Sequence, residues 1–203
     1  MDKIPNYIIN HIESGNCVIY PTTTLPGLGC LPIASSLDKL FAIKERSENM
    51  PVSLAVSSLE QAENIVNIPP LAKELISEFP PASITIVLDA RDEMDARLGG
   101  KRIAIRLVAH PLAKELISRT GPITATSANP SGQICPNTCE EAATLLKFPE
   151  DAVLSGICTG GLPSTLIRLS TDEEIAQGSH SVTIMREGIL PSSRVIEWST
   201  NLN

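Results

Sequence analysis

Four segments of this chain gather hydroxyl, amide and cationic side chains beyond what packing requires. The first, Pro21–Gly29 (PTTTLPGLG), sets Thr22, Thr23, Thr24 and two glycines directly after the apolar run Cys17–Tyr20. Donors at the carboxyl end of a strand stand where open α/β sheets bind ligands. The segment has neither the G-K-[ST] ending of a phosphate-binding P-loop nor G-x-G-x-x-G spacing, so its motif alone names no ligand. The second is Lys44-Glu45-Arg46. Two residues two apart on a helix diverge by about 200°, so these cations share a site only where the helix stops. Pro51 predicts such a stop; cations opposing the helix macrodipole are the alternative.

The third is Lys101-Arg102-Ile103-Ala104-Ile105-Arg106, in which strand alternation sets Arg102 and Arg106 on one face with Ala104 between them. Two guanidiniums over a small residue make a carboxylate or phosphate clamp, with ion pairs to Asp or Glu as the alternative. The fourth, Thr126-Ser127-Ala128-Asn129-Pro130-Ser131-Gly132, is a second donor-rich loop after an apolar strand. No G-x-S-x-G elbow, H-E-x-x-H motif or informative Cys–His spacing accompanies these groups. Cations and hydroxyls without a nucleophile or base fit anion binding and phosphoryl or nucleotidyl transfer, where positioning and charge stabilisation do the catalysis.

The elements that must position these groups alternate along the chain. Ile4, Ile8, Ile9 and Ile12 share a helical face over 3–14, with Gly15 as a left-handed stop. Strands are expected at 17–20, 52–56, 84–88, 103–107 and 123–126, and 22–32 reads as loop. Helices are expected at 36–45, 70–79 and 111–119. Ser58 with Gln61 reads as a capping box, and Thr138 with Glu141 caps a helix running to about Lys147. From 152 to 198 the pattern predicts short strands at AVL, STLIRL, SVTIM and RVIEW. The octapeptide PLAKELIS occurs at 70–77 and again at 111–118, an amphipathic pattern that suits any helix packed on a sheet. Together this predicts an α/β chain with a mixed sheet, layered without a regular Rossmann repeat, as one domain over 1–203.

Composition narrows the function. The chain has 203 residues and 42% hydrophobic content, enough to bury a core without metal or disulfide staples. Sixteen Lys and Arg against 23 Asp and Glu leave a net charge of −7, so a basic site must be a local concentration. No apolar run reaches the roughly 18–20 residues of a membrane span. The N-terminal residues lack a signal-peptide core, and a cytoplasmic location is expected. Cys17, Cys30, Cys135, Cys139 and Cys158 are odd in number and scattered, which reads as reduced thiols. Cys135 and Cys139, even with His110 or His180, lack the second pair that a zinc site needs.

In this order the segments resemble the YrdC/YciO-like family, whose characterised members include threonylcarbamoyl-AMP synthases. PTTTLPGLG matches a Pro-Thr-acid-Thr-Val-Tyr-Gly-Leu-Gly loop, Lys44 and Arg46 a Lys-x-Arg motif followed by proline at Pro51, and FPPASIT a Trp-Pro-Gly-Pro-Leu-Thr segment. IAIR matches an Arg-ended strand, TSANPSG a Ser-x-Asn loop, Pro163-Ser164-Thr165-Leu166 a late Ser-Thr-Val strand, and Arg186-Glu187-Gly188 an Arg-x-Gly. The resemblance runs over about 17–190. It implies a twisted mixed β-sheet flanked by helices with a concave basic pocket, in the single-domain form. It implies a nucleotidyltransferase that joins L-threonine, bicarbonate and ATP into threonylcarbamoyl-adenylate and releases pyrophosphate, with Mg²⁺ alongside ATP. The product would feed the t6A transfer machinery acting on adenosine 37 of tRNA. By motif, Lys44, Arg46, Ser127, Asn129 and Arg186 would hold ATP, Lys44 and Arg46 acting as the catalytic cations. Thr24, Arg106 and Ser164 would hold threonine, Arg106 through its carboxylate. No metal-ligating side chain is identified.

The chain departs from the pattern in places. Thr23 stands for the loop's acid and Pro26 for its tyrosine, Ser47 replaces a proline, Ala55 stands where a histidine is common, and Pro81-Ala82-Ser83 replaces Pro-Gly-Pro. The anion ligands are kept and the threonine side is altered. Two other readings stay open: a divergent paralogue acting on another small acid, and a non-catalytic module with weak tRNA or RNA binding. Net acidity and few aromatics weigh against the second.

Overall fold

The computed structural model describes residues 4–201. Its elements are α1 (Asn6–Glu13), β1 (Val18–Tyr20), β2 (Gly27–Gly29), α2 (Ala34–Lys44), β3 (Ser53–Val56), α3 (Leu59–Glu63), α4 (Pro70–Glu78) and β4 (Ile84–Asp89). They continue with β5 (Arg102–Leu107), α5 (Pro111–Thr120), β6 (Ile123–Ser127), α6 (Cys139–Leu146), β7 (Thr165–Leu169), α7 (Asp172–Ala176), β8 (Val182–Arg186) and α8 (Ser192–Thr200). The strands form one mixed sheet in the order β1-β2-β6-β3-β5-β4-β7-β8. β3–β5 and β4–β7 run parallel and the other neighbours antiparallel. The α/β class with a mixed sheet and flanking helices holds.

Alternation along the central strands builds two unlike faces. Leu54, Val56, Ile84, Ile86, Ile103 and Ile105 enter the larger core, which α2, α3, α4 and α8 cover through Leu40, Phe41, Ala62, Leu75 and Val195. On the other face α1 and α5 pack over Ala55, Val108 and Ile123 through Ile8, Ile12, Ala113 and Ile117. The two PLAKELIS helices thus do the same packing job in different cores, α4 burying Ala72 and Leu75 and α5 burying Ala113 and Leu116. The second face is only partly covered, which leaves room beside Ala104 and Arg106 of β5.

Three expectations change. The span 22–32 is not all loop: it holds β2, which pairs with β1 and β6 at once. Tyr20 lies flat beneath β2, and a Cβ on Gly27 or Gly29 would stand 2.8 Å from its ring. Glycine is needed there for close approach, and a Gly-Leu-Gly strand has no hydrophobic period to reveal it. RVIEW is not a strand but part of α8. Val195 and Trp198, three apart, both turn inward, with Trp198 edge-on to Phe79 at 5.9 Å. AVL is not a strand either: Ala152 ends a 3₁₀ turn and Val153 makes a single bridge to Ile19. The Thr138 cap is present, its Oγ1 accepting from the Glu141 N–H at 3.2 Å. Ser58 caps Gln61, but the Gln61 side chain accepts from the Ser57 N–H, one residue earlier than a capping box.

Candidate active site

The uncovered part of the sheet forms a cavity of about 410 Å³. Seven of the eight residues named from the sequence line it: Thr24, Arg46, Arg106, Ser127, Asn129, Ser164 and Arg186. Each comes from the end of an element or a loop touching it. The eighth, Lys44, is not in the lining. α2 stops at Lys44 because Glu45 adopts a left-handed conformation (φ 50°), and this one-residue reversal sends the two cations of the motif to different places.

Arg46 turns to the cavity. Its Nε donates to the Met50 carbonyl at 2.6 Å and its Nη2 to the Pro51 carbonyl at 3.1 Å. Lys44 turns inward and is 1% exposed. Its ammonium donates to the Ser127 carbonyl and, at 2.7 Å, to the Asn129 carbonyl. Burial, with the nearby Arg46 charge adding to it, pulls this ammonium down to about 8. Asn129 is anchored in turn, its Nδ2 donating to the carbonyls of Pro130 (2.9 Å) and Gln133 (2.6 Å), which fixes Oδ1 as an acceptor without a partner among the described residues.

Across the cavity, Arg106 is 8% exposed. Its Nη2 donates to Thr24 Oγ1 at 2.8 Å and to the Ala82 carbonyl at 3.1 Å. Ala82, in the segment where the related pattern has glycine, sits at φ 62°, a conformation an alanine adopts at a cost. Arg186 donates to the Ser164 carbonyl at 2.9 Å, and Ser164 Oγ shares a hydrogen with Thr85 Oγ1 at 2.6 Å. Among the described residues no Asp or Glu lines the cavity. Burial holds all three guanidiniums below the ordinary arginine value, and Arg186 adds to the effect on both Arg46 and Arg106. Three guanidiniums facing one space, the buried Arg106 with the more exposed Arg46 and Arg186, make a site that gains by taking an anion.

The Arg102–Arg106 clamp read from strand alternation does not form. Arg102 points to the far end of β5, where it pairs with Asp89 and Glu174, both at 3.3 Å, and with the Leu169 carbonyl. The ion-pair alternative holds for that residue.

Sequence reasoning missed several contributors. Thr22 holds the threonine loop: its Oγ1 donates to the Leu25 carbonyl at 2.7 Å and accepts from the Thr24 N–H at 3.1 Å. The Thr22 N–H donates to Cys158 Sγ at 3.3 Å. A hydrogen bond from Cys139 lowers the Cys158 thiol to about 7, helped by the Thr22 N–H and Arg106 against the effect of burial. Thr85 and Tyr20 also reach the lining. Thr22 and Thr85 lie inside segments already singled out, whereas nothing in the sequence marks Cys158. Among the departures, Pro26 lines the cavity, while Ala55 is fully buried in the α1–α5 core.

The model of the Sua5, YciO and YrdC proteins, described as telomere recombination, matches residues 10–188. This chain belongs to the Sua5/YciO/YrdC family. Within the family, a Methanocaldococcus jannaschii relative is 30% identical over 195 residues, 95% of this chain and 89% of that one. A Photobacterium profundum relative named threonylcarbamoyl-AMP synthase is 29% identical over 93% of this chain and all of its own. P. abyssi Sua5, solved in complex with L-threonine, superposes with a TM-score of 0.81 at 27% identity, over 97% of this chain and 58% of that one. The chain therefore spans less than three fifths of that Sua5 structure.

Proposed function

We propose that this Sua5/YciO/YrdC chain is a threonylcarbamoyl-AMP synthase, a nucleotidyltransferase using ATP, L-threonine and bicarbonate. One observation carries the reading: Arg46, Arg106 and Arg186 face one cavity with hydroxyl and amide groups between them and no carboxylate. Such a site suits a highly anionic nucleotide beside a small hydroxylated amino acid. A family relative bearing that enzyme name and a Sua5 structure solved with L-threonine support it.

The reaction balances as follows. The threonine amine adds to the carbon of bicarbonate, water leaves, and a carbamate results. A carbamate oxygen then attacks the α-phosphorus of ATP, and the bond to pyrophosphate breaks. Arg106 would hold the threonine carboxylate, with Thr24 and Ser164 beside it. Arg46 and Arg186 would offset the charge that grows on the α-phosphate and the departing pyrophosphate, while Ser127 and Asn129 orient the nucleotide. Holding three reactants in register supplies much of the rate, and aimed guanidiniums supply the rest. Magnesium is expected with ATP, but the residues present do not fit a protein-held ion. Among the described residues no carboxylate lines the cavity, and no three His, Cys, Asp or Glu side chains group to ligate a metal. The adenylate would pass to the t6A transfer machinery for tRNA adenosine 37. Among the described residues no helix is long and apolar enough to cross a membrane.

The test is pyrophosphate release by the purified protein. Release should require L-threonine and bicarbonate together. Equal turnover with other amino acids would assign the chain to a paralogous activity, and tRNA binding without turnover would make it a binding module.

A further inference from the structure

We infer that Lys44 is a positioning residue, one that fastens the Ser127–Ser131 loop to the end of α2 and so sets the nucleotide side of the cavity without touching the nucleotide itself. The inference rests on the proposed ATP site. Three links join this one residue to that loop. Its ammonium donates to the carbonyls of Ser127 and Asn129, and its own carbonyl accepts the Ser131 N–H at 2.8 Å. At 1% exposure the side chain has no free surface toward the cavity, and the residues lining the cavity include Arg46, Ser127 and Asn129 but not Lys44.

The chemistry favours a tie. A main-chain carbonyl buried without a donor costs free energy; the Asn129 carbonyl receives its donor from this ammonium, and the Ser127 carbonyl accepts from the ammonium as well as from the Asn129 N–H at 3.0 Å. Charge-assisted bonds are the stronger kind, so two of them to carbonyls two residues apart hold the loop in one curvature. That curvature aims the Ser127 side chain and the Asn129 amide at the cavity. The left-handed Glu45 makes the third link possible, because it ends α2 at Lys44 and leaves the Lys44 carbonyl to accept the Ser131 N–H. A phosphate drawing the ammonium away would strip the Asn129 carbonyl of its donor and leave the Ser127 carbonyl only the Asn129 N–H, whereas Arg46 already faces the cavity.

Two measurements on ligand-free protein test the tie whether or not ATP is the substrate. In Lys44→Met, amide exchange at Ala128 and Ser131 should accelerate about tenfold or more while the β3 and β5 amides keep native rates. In the native protein, acetylation by acetic anhydride followed by mass spectrometry should place Lys44 among the slowest lysines, with no added protection from ATP. Ordinary labelling of Lys44 that ATP suppresses would overturn the inference, and this readout needs no variant to fold. In turnover, Lys44→Met should raise the KM for ATP about tenfold and leave that for threonine within about twofold. Native exchange rates in the variant, or fast exchange with an unchanged KM for ATP, would each overturn the inference. Absence of pyrophosphate release from the native protein would sink the proposed activity and leave the tie standing.

Discussion

Arg102 and Arg106 share a strand, a face and a residue type, yet they end in opposite environments. At its end of β5, Arg102 is met by Asp89, Glu174 and a main-chain carbonyl, and its charge is answered within the protein. At the other end, roughly 13 Å away along the strand, Arg106 meets only a hydroxyl and a carbonyl, with Arg186 near enough to disfavour its charge further. The strand alternation that places both is blind to what the neighbouring elements bring. β4 and α7 bring acids to one end; the Thr22–Gly27 segment and the Ala82 turn bring none to the other. An arginine becomes a binding group here through what is withheld from it.

Removing Arg106 should give the largest effect. Arg106→Ala should lower kcat/KM for threonine by about 10²-fold or more, equivalent to about 3 kcal/mol, and leave thermal stability unchanged or higher, because an unanswered buried charge is removed. Steady-state pyrophosphate release and a melting curve check the two halves. A smaller effect should come from making one end resemble the other. Ala104→Asp puts a carboxylate on the same face two residues from Arg106 and should raise the KM for the anionic substrates about tenfold. The smallest should come from Arg102→Ala, with turnover within about twofold of native and a melting temperature lower by about 2 °C at pH 7. That deficit should fade in acid. The Thr171 N–H, then Arg168 and Arg102, hold the Glu174 carboxyl below its ordinary value. Its contribution is therefore complete above the unfolded value of about 4.3 and disappears as pH falls through the lower folded one. Melting curves from pH 7 to pH 3 on both proteins read it.

How far the sequence reached follows the same division. Long amphipathic helices and β-branched strands were legible because burial imposes their period, and the donor-rich loops stood out because packing has no use for so many hydroxyls. β2 was hidden because its three residues are chosen by the ring beneath them, a long-range fact with no local pattern. RVIEW misled through its valine and isoleucine; the inward pair Val195 and Trp198, three apart, carried the helical period in only two residues. α7 escaped notice although its Thr171–Glu174 capping box is a local signal. For the candidate site, proximity in the list was a poor guide: Lys44 and Arg46 part company at Glu45, and Cys158 reaches the Thr22 N–H across 136 positions.

Tyr20 and the two glycines above it are one construction split between two strands. The phenol occupies the volume that side chains at 27 and 29 would need, and it is fully buried with its hydroxyl donating to the Thr124 carbonyl at 3.1 Å. Bulk can therefore enter that wall only as an exchange, a smaller residue at 20 admitting a larger one opposite. Single changes at either place strand the chain in a clash or a void, so remodelling of this wall must proceed through coupled steps, and its contour is among the slowest features of the molecule to drift.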